Sequence, residues 1–247
     1  MGENQSRGET EEAFFLSSDE NPGARRAGAL HGRRKGKKLR TYHAGLIDAL
    51  LPKLTLDVGG VIDPAALFDF TPADLRLEIG FGGGEHLAAE AARAPLIGFI
   101  GCEPFINGVA KLPAEIDGGG LRNILIHSGD AADVIARLPA ASLAQVDLLY
   151  PDPWPKRRQR KRRFVSDASL AYLARALRPG GELRFATDID DYAGWTLARV
   201  LRSPDFVWEA KGPPDWMEPW PGWTRTRYEE KAVREGRPPV YLTFRRR

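Results

Sequence analysis

The stretch of the 247-residue chain richest in usable chemistry runs from Asp147 to Arg163, DLLYPDPWPKRRQRKRR. An apolar, strand-like run ends in Pro151-Asp152-Pro153-Trp154-Pro155, where alternating prolines fix φ and restrict the residue before each. Such a backbone holds one carboxylate and one flat ring at a fixed exit from a strand. An acceptor beside an aromatic surface is the pair needed to grip an extruded nucleobase. Asp152 can accept from the ring N–H and amino group of a guanine, while Trp154 can stack on the base or wall its pocket. Lys156 to Arg163 then reads KRRQRKRR, seven basic residues in eight, a density suited to RNA phosphates next to such a pocket. The bland alternatives are a rigid turn with Trp154 in the core, a solvated charged face and a nuclear-localisation run.

A second set of acids belongs to a different job. Leu75 to Gly84, LRLEIGFGGG, has the form of a strand emptying into a glycine-rich turn, with a helix opening near Glu85. Glycines such as Gly80 and Gly82 permit φ > 0 there and let a ligand approach the main chain. A nicotinamide fingerprint asks for Gly or Ala at its sixth position, which here is Glu85, so a dinucleotide is disfavoured. Glu103, 25 residues after Glu78, follows the next strand in GCEP, where a carboxylate can hold the two hydroxyls of a ribose. Asp130 follows the third strand in SGDA. Three carboxylates at successive strand ends face the crevice where open α/β sheets bind ligands, although Asp130 alone also reads as a helix N-cap.

The elements that must position these residues follow from the hydrophobic pattern. From Thr71 onward, short apolar runs closed by Gly, Asp or Pro alternate with helix-compatible stretches. Strands are predicted at Leu75 to Ile79, Leu96 to Cys102, Asn123 to His127, Val146 to Tyr150, Glu182 to Thr187, Phe206 to Ala210 and Val240 to Phe244. Helices are predicted at Glu85 to Ala92, Ile106 to Glu115, Ala131 to Arg137, Asp167 to Leu177 and Tyr192 to Leu201. Runs such as Val146 to Tyr150 suit strands covered on both faces, which argues for a doubly wound, mostly parallel seven-stranded sheet with helices on both faces. Gly212 to Trp223, with its three tryptophans, fits neither period and is expected to be a long loop.

Residues 1–40 are polar and without periodicity, the composition of a flexible arm, and residues 41–247 are expected to form one domain, for which 43% hydrophobic content suffices. No apolar run reaches the roughly 18 to 20 residues of a membrane helix and no signal-peptide pattern opens the chain, so a soluble protein of the cytoplasm is expected. The lone Cys102 and four unclustered histidines indicate neither a disulfide scaffold nor a metal site. The net charge of +3 is modest, so an argument for nucleic acid rests on where the charge lies: the run at Lys156 to Arg163, RRKGKKLR at Arg33 to Arg40, and Arg245 to Arg247.

The glycine turn with its three strand-end acids resembles the Rossmann-like class I methyltransferases that use S-adenosylmethionine. The ordered segments LEIGFGGGEHL, GCEPF, SGDA, YPDPWPKRRQRKRRF, FATDIDDYA and TRTRYEEKA resemble the TrmB family of tRNA guanine-N7 methyltransferases. The resemblance implies a methyl acceptor at N7 of the variable-loop guanosine of tRNA. It implies that Gly80 and Gly82 face the methionine part of the cofactor, with Glu78 at its amino-acid end, Glu103 on the ribose and Asp130 beside the adenine. Asp152 becomes the catalytic acid, also counted with the cofactor site. Lys156, Asp188, Thr226, Arg227, Tyr228 and Glu229 become substrate positions, and Arg158, Arg160, Lys161, Arg162 and Arg163 become RNA contacts. No metal is implied, and the protein would be a monomer or homodimer. Two readings stay beside it: a non-catalytic RNA-binding protein on the same fold, and a nicotinamide-dependent oxidoreductase.

Overall fold

A computed structural model describes residues 49–247. The arm expected at 1–40, the basic segment Arg33 to Arg40 and the first residues of the expected domain lie outside them. The strands are β1 (Asp74–Ile79), β2 (Ile97–Cys102), β3 (Ile124–His127), β4 (Leu143–Leu149), β5 (Leu177–Thr187), β6 (Phe206–Trp208) and β7 (Val240–Arg246). The described part opens with helical residues 49–54, and the helices after them are α1 (Glu85–Arg93), α2 (Ile106–Val109), α3 (Leu112–Gly119), α4 (Ala131–Arg137), α5 (Asp167–Ala176), α6 (Asp190–Val200), α7 (Pro214–Met217) and α8 (Arg227–Arg234). The strands form one seven-stranded sheet in the order β3-β2-β1-β4-β5-β7-β6. The first five strands run parallel, and β7 lies antiparallel between β5 and β6.

Side chains alternate across the sheet, and each face has its own core. Ile100 and Cys102 of β2 join Leu77, Val146, Leu183 and Phe185 under α4, α5 and α6. Phe99, just before them in sequence and on the opposite face, joins Ile124 and Ile126 under Leu87 and Ala91 of α1 and Leu112 and Ile116 of α3. This is the expected doubly wound arrangement, since parallel neighbours must be connected by crossovers that cover both faces. On the far half of the second face Trp220 and Trp223 pack against Leu149, Ala186 and Tyr241.

Beyond shifts of a few residues at the ends of elements, three features differ from the sequence reading. The helix expected over Ile106 to Glu115 is split into α2 and α3, because Pro113 lacks an N–H and fits only the first turn of a new helix. Strand β5 starts at Leu177, which pairs with Leu143 before the irregular Pro179-Gly180-Gly181 segment, and regular pairing resumes at Glu182. The Trp-rich stretch contains the one-turn helix α7, and α8 follows it. Among the described residues no helix is long and apolar enough to cross a membrane, and no cluster of His, Cys, Asp or Glu could hold a metal ion.

Candidate active site

The sheet order reverses between β1 and β4: from β1 the chain steps outward to β2 and β3, and from β4 it steps the other way to β5. Connections leave a crevice at the carboxyl ends of the two strands where such a reversal occurs. Here the crevice encloses about 270 Å³. Its walls are Gly80 and Gly82 after β1, Glu103 and Phe105 after β2, and Tyr150, Asp152 and Trp154 after β4, with Arg162 and Tyr228 at the sides.

The turn after β1 is a bare cradle. Gly80, Gly82 and Gly84 have φ of 75°, 60° and 83°, values that side-chain-bearing residues rarely adopt. Glu103 is buried, with 8% exposure, and holds the turn: its Oε2 accepts from the Gly82 N–H at 2.8 Å and its Oε1 from the Phe105 N–H at 2.8 Å. A carboxylate oxygen has two lone pairs, so each still has one to offer a hydroxyl. Burial raises the Glu103 carboxyl pKa, the Phe105 and Gly82 N–H groups and Arg227 pull it back, and the charge of Asp152 pushes it up again. Glycine is also required opposite the turn. A Cβ on Gly108 of α2 would lie 2.3 Å from the Gly82 carbonyl oxygen and 3.3 Å from Cγ of Glu103. Sequence reasoning missed Gly108, although a glycine inside a predicted helix is itself a signal of close packing.

The loop after β4 is held in a strained form. Tyr150 and Trp154 have φ of 49° and 42°, and a left-handed backbone at such residues costs about 1–3 kcal/mol each. Bonds at both ends offset that cost: the Tyr150 N–H donates to the Ala186 carbonyl at 2.8 Å, and Nε of Arg163 donates to the Pro153 carbonyl at 2.9 Å. Between them Asp152 stands open to solvent on one side and shielded on the other, and desolvation raises its carboxyl pKa.

The basic run is two sets of residues with different surroundings. It forms a 3-10 turn over Arg157–Arg162 with Lys156 at its N-cap. Arg163, expected to meet RNA, is instead buried: its guanidinium pairs with Asp191 and lies over the rings of Tyr192 and Trp195 at 4.7 and 5.0 Å. It is a strut between the loop and α6, and burial removes it from the phosphate-contacting set. Arg160 also pairs with Asp191, at 2.8 Å. Lys156, Arg157, Arg158, Lys161 and Arg162 are exposed. The terminal arginines are likewise tied to the sheet edge, Arg245 to Glu209 at 2.9 Å and Arg246 to the Ala174 carbonyl at 2.9 Å.

Several expected site residues stand behind or beside the crevice and are absent from its lining. Glu78 is buried with its Oε2 2.8 Å from Nδ1 of His86. Burial lowers the His86 pKa, but Glu78, Asp147 and Glu90 outweigh it and push the value up to about 9. The His86 ring packs 4.7 Å from Trp223. The indole N–H of Trp223 donates to Glu229 at 2.6 Å, and the Tyr241 hydroxyl donates to the other oxygen at 2.7 Å. Glu229, 1% exposed, thus binds the protein's own side chains. Thr226 caps α8 by accepting from the Glu229 N–H at 3.2 Å. Arg227 and Tyr228 turn toward the crevice, where a Cβ on Gly82 would meet both within 3.4 Å. Asp188 accepts from Arg237 at 2.6 Å, and Asp130 caps α4 by accepting from the Ala132 N–H at 3.0 Å. The buried links through His86 and Trp223 had no sequence signal beyond the clustering of tryptophans.

Comparison with known proteins agrees with this geometry. A family model described as "Putative methyltransferase" matches residues 72–242. The tRNA (guanine-N(7)-)-methyltransferase of Nitrobacter hamburgensis is 57% identical over 89% of this chain and 87% of its own length. That of Bradyrhizobium diazoefficiens is 56% identical over 88% of this chain and 93% of its own length. The crystal structure of the 16S rRNA methyltransferase KamB superposes with a TM-score of 0.51 at 16% identity, covering 71% of this chain and 89% of that one, and so shares the Rossmann-like class I fold. With that identity over nearly the whole of both lengths, the chain belongs to the tRNA (guanine-N(7)-)-methyltransferase family.

Proposed function

We propose that this chain transfers the methyl group of S-adenosylmethionine to N7 of the variable-loop guanosine of tRNA, working as a cytoplasmic enzyme. The observation that carries the proposal is one crevice shared by two kinds of binding group. Glu103 and the bare turn at Gly80 and Gly82 form one wall, and Asp152 with Trp154 forms another. The first wall suits the cofactor: the spare lone pairs of Glu103 match a ribose diol, and the glycines leave room for a chain beside the backbone. Asp130, part-exposed at the end of β3, suits the adenine amino group, while Glu78 acts on the turn from behind through His86. When bound, S-adenosylmethionine supplies a methyl group activated by its sulfonium charge.

The second wall suits the base. Guanine N7 has a lone pair and no proton, so no residue has to act as a base toward the nucleophile. Orientation then dominates, and holding reacting atoms in line contributes up to roughly 7 to 11 kcal/mol. Ionised Asp152 accepts from the donor edge of guanine and stabilises the positive charge that grows on the purine, in a crevice that shields it partly from water. Lys156, Arg157, Arg158 and Lys161 provide exposed cations beside this wall for the phosphates. The test is incubation with methyl-labelled S-adenosylmethionine and bulk tRNA, followed by digestion to nucleosides. Label in 7-methylguanosine is the expected result. RNA binding without transfer would favour the non-catalytic reading, and binding of NAD in place of S-adenosylhomocysteine would favour the oxidoreductase.

A further inference from the structure

Arg162 stands apart from the rest of the basic run. Its guanidinium lies over the Trp154 ring, 4.8 Å from the centroid, and both side chains line the crevice. Arg160 and Arg163 on either side of it are pinned to Asp191, so the backbone under Arg162 is fixed while its own exposed side chain carries no ion pair among the described residues. A planar cation therefore covers a flat ring that faces the space proposed for the target base.

We propose that Arg162 is a placeholder for the target guanine: it occupies the stacking surface of Trp154 in the RNA-free enzyme, is displaced when the base enters, and then binds a flanking phosphate. The inference rests on the functional reading above. A guanidinium and a purine ring are both flat, and both stack on indole, so they compete for one surface. Two considerations favour displacement over a stack of all three groups. Methylation at N7 leaves a positive charge on the purine, and a guanidinium held against the ring would oppose it at close range. A phosphate next to an extruded nucleotide gives the released guanidinium a bidentate partner, which the Trp154 ring does not. Because the 3-10 turn is anchored through Arg160 and Arg163, the exchange needs rotation of one side chain and no movement of the loop that carries Asp152. The stack also covers the Trp154 ring until substrate arrives.

The experiment compares wild type with Arg162→Ala and Arg162→Lys for inhibition of tRNA methylation by free guanosine, KM for tRNA, and affinity for S-adenosylhomocysteine. Removing a competing cation–π contact at an exposed site should tighten guanosine inhibition about two- to fivefold in Arg162→Ala. Loss of the phosphate contact should raise KM for tRNA and lower the salt slope by about 0.7 to 0.9. The two effects have opposite signs, which a structural role for Arg162 does not produce. Arg162→Lys keeps the charge and should retain most of the tRNA affinity, and unchanged S-adenosylhomocysteine affinity checks the fold of both variants. Guanosine inhibition that does not tighten, or a KM for tRNA that does not rise, overturns the proposal. Absence of tRNA methylation in the wild-type enzyme would instead overturn the functional reading beneath it.

Discussion

Asp152 and Glu103 face one crevice, and desolvation raises the carboxyl pKa of both. For Asp152 this delays ionisation, so the wild-type rate should climb with pH through that raised value and then level off. Asp152→Asn removes the charge and presents N–H groups where guanine also presents donors. Turnover should fall about a hundred- to a thousandfold while S-adenosylhomocysteine still binds, and the loss should persist up to about pH 9. Single-turnover methylation from about pH 6 to 9 measures this, and near-normal turnover would remove Asp152 from the site. The proline bracket made Asp152 legible in the sequence, and the glycine turn did the same for Glu103. What could not be read was which acids face the crevice. Glu78 and Glu229 carry the right side chain at the right strand or helix end, but His86 takes up one oxygen of Glu78, Trp223 and Tyr241 take up both oxygens of Glu229, and those partners, only 6 to 12 residues away, are brought round by turns that the hydrophobic pattern does not specify.

At the level of elements, the cofactor wall depends on how closely α2 approaches the turn after β1. Gly108→Ala should weaken S-adenosylhomocysteine binding and raise KM for S-adenosylmethionine with little change in KM for tRNA. The added Cβ meets the Gly82 carbonyl and Glu103 rather than any RNA-facing residue. Gly194→Ala in α6, where the added Cβ meets nothing within 4 Å, is the control, and equal effects in both variants would contradict the steric account. The salt-bridged pair behind the turn gives a pH signature. The His86 pKa rises on folding from 6.5 to about 9, so its stabilisation is complete below the lower value and is lost as pH climbs to the upper one. Such a shift corresponds to about 3 kcal/mol at most. Urea unfolding should show stability falling across that window in wild type and a shallower fall in His86→Gln, whereas parallel curves would contradict the assignment. All seven strands and the helices as far as α6 were legible from hydrophobic period, whereas α8 was not. The break between α2 and α3 and the early start of β5 were not, because Pro113 and Pro179-Gly180-Gly181 have their effect through tertiary pairing as well as local geometry.

Across the whole molecule, the sequence placed a cationic surface beside the crevice but could not separate its exposed arginines from its struts. Replacing Arg157, Arg158 and Lys161 with alanine should lower tRNA affinity and reduce the slope of log affinity against log salt by about 2 to 3, with cofactor binding intact. Arg163→Ala should instead destabilise the fold by about 1 to 3 kcal/mol, since it takes a buried guanidinium away from the Tyr192 and Trp195 rings and releases the Pro153 carbonyl. Salt titrations and urea unfolding separate the two, and a salt slope unchanged in the triple variant would make those residues a solvated face. The same surface has to deliver one guanosine to Asp152 and Trp154 with N7 directed at the cofactor wall, and that joint placement is what the crevice exists to achieve. The direct test is chemical mapping of the methylated product. A single tRNA transcript is treated with the enzyme and S-adenosylmethionine, then with borohydride and aniline, which cleave the chain at 7-methylguanosine. One cut at the variable-loop guanosine, abolished when that nucleotide is changed to adenosine, is the predicted result. Incorporated methyl that yields no cut, or cuts spread over other guanosines, would contradict the account.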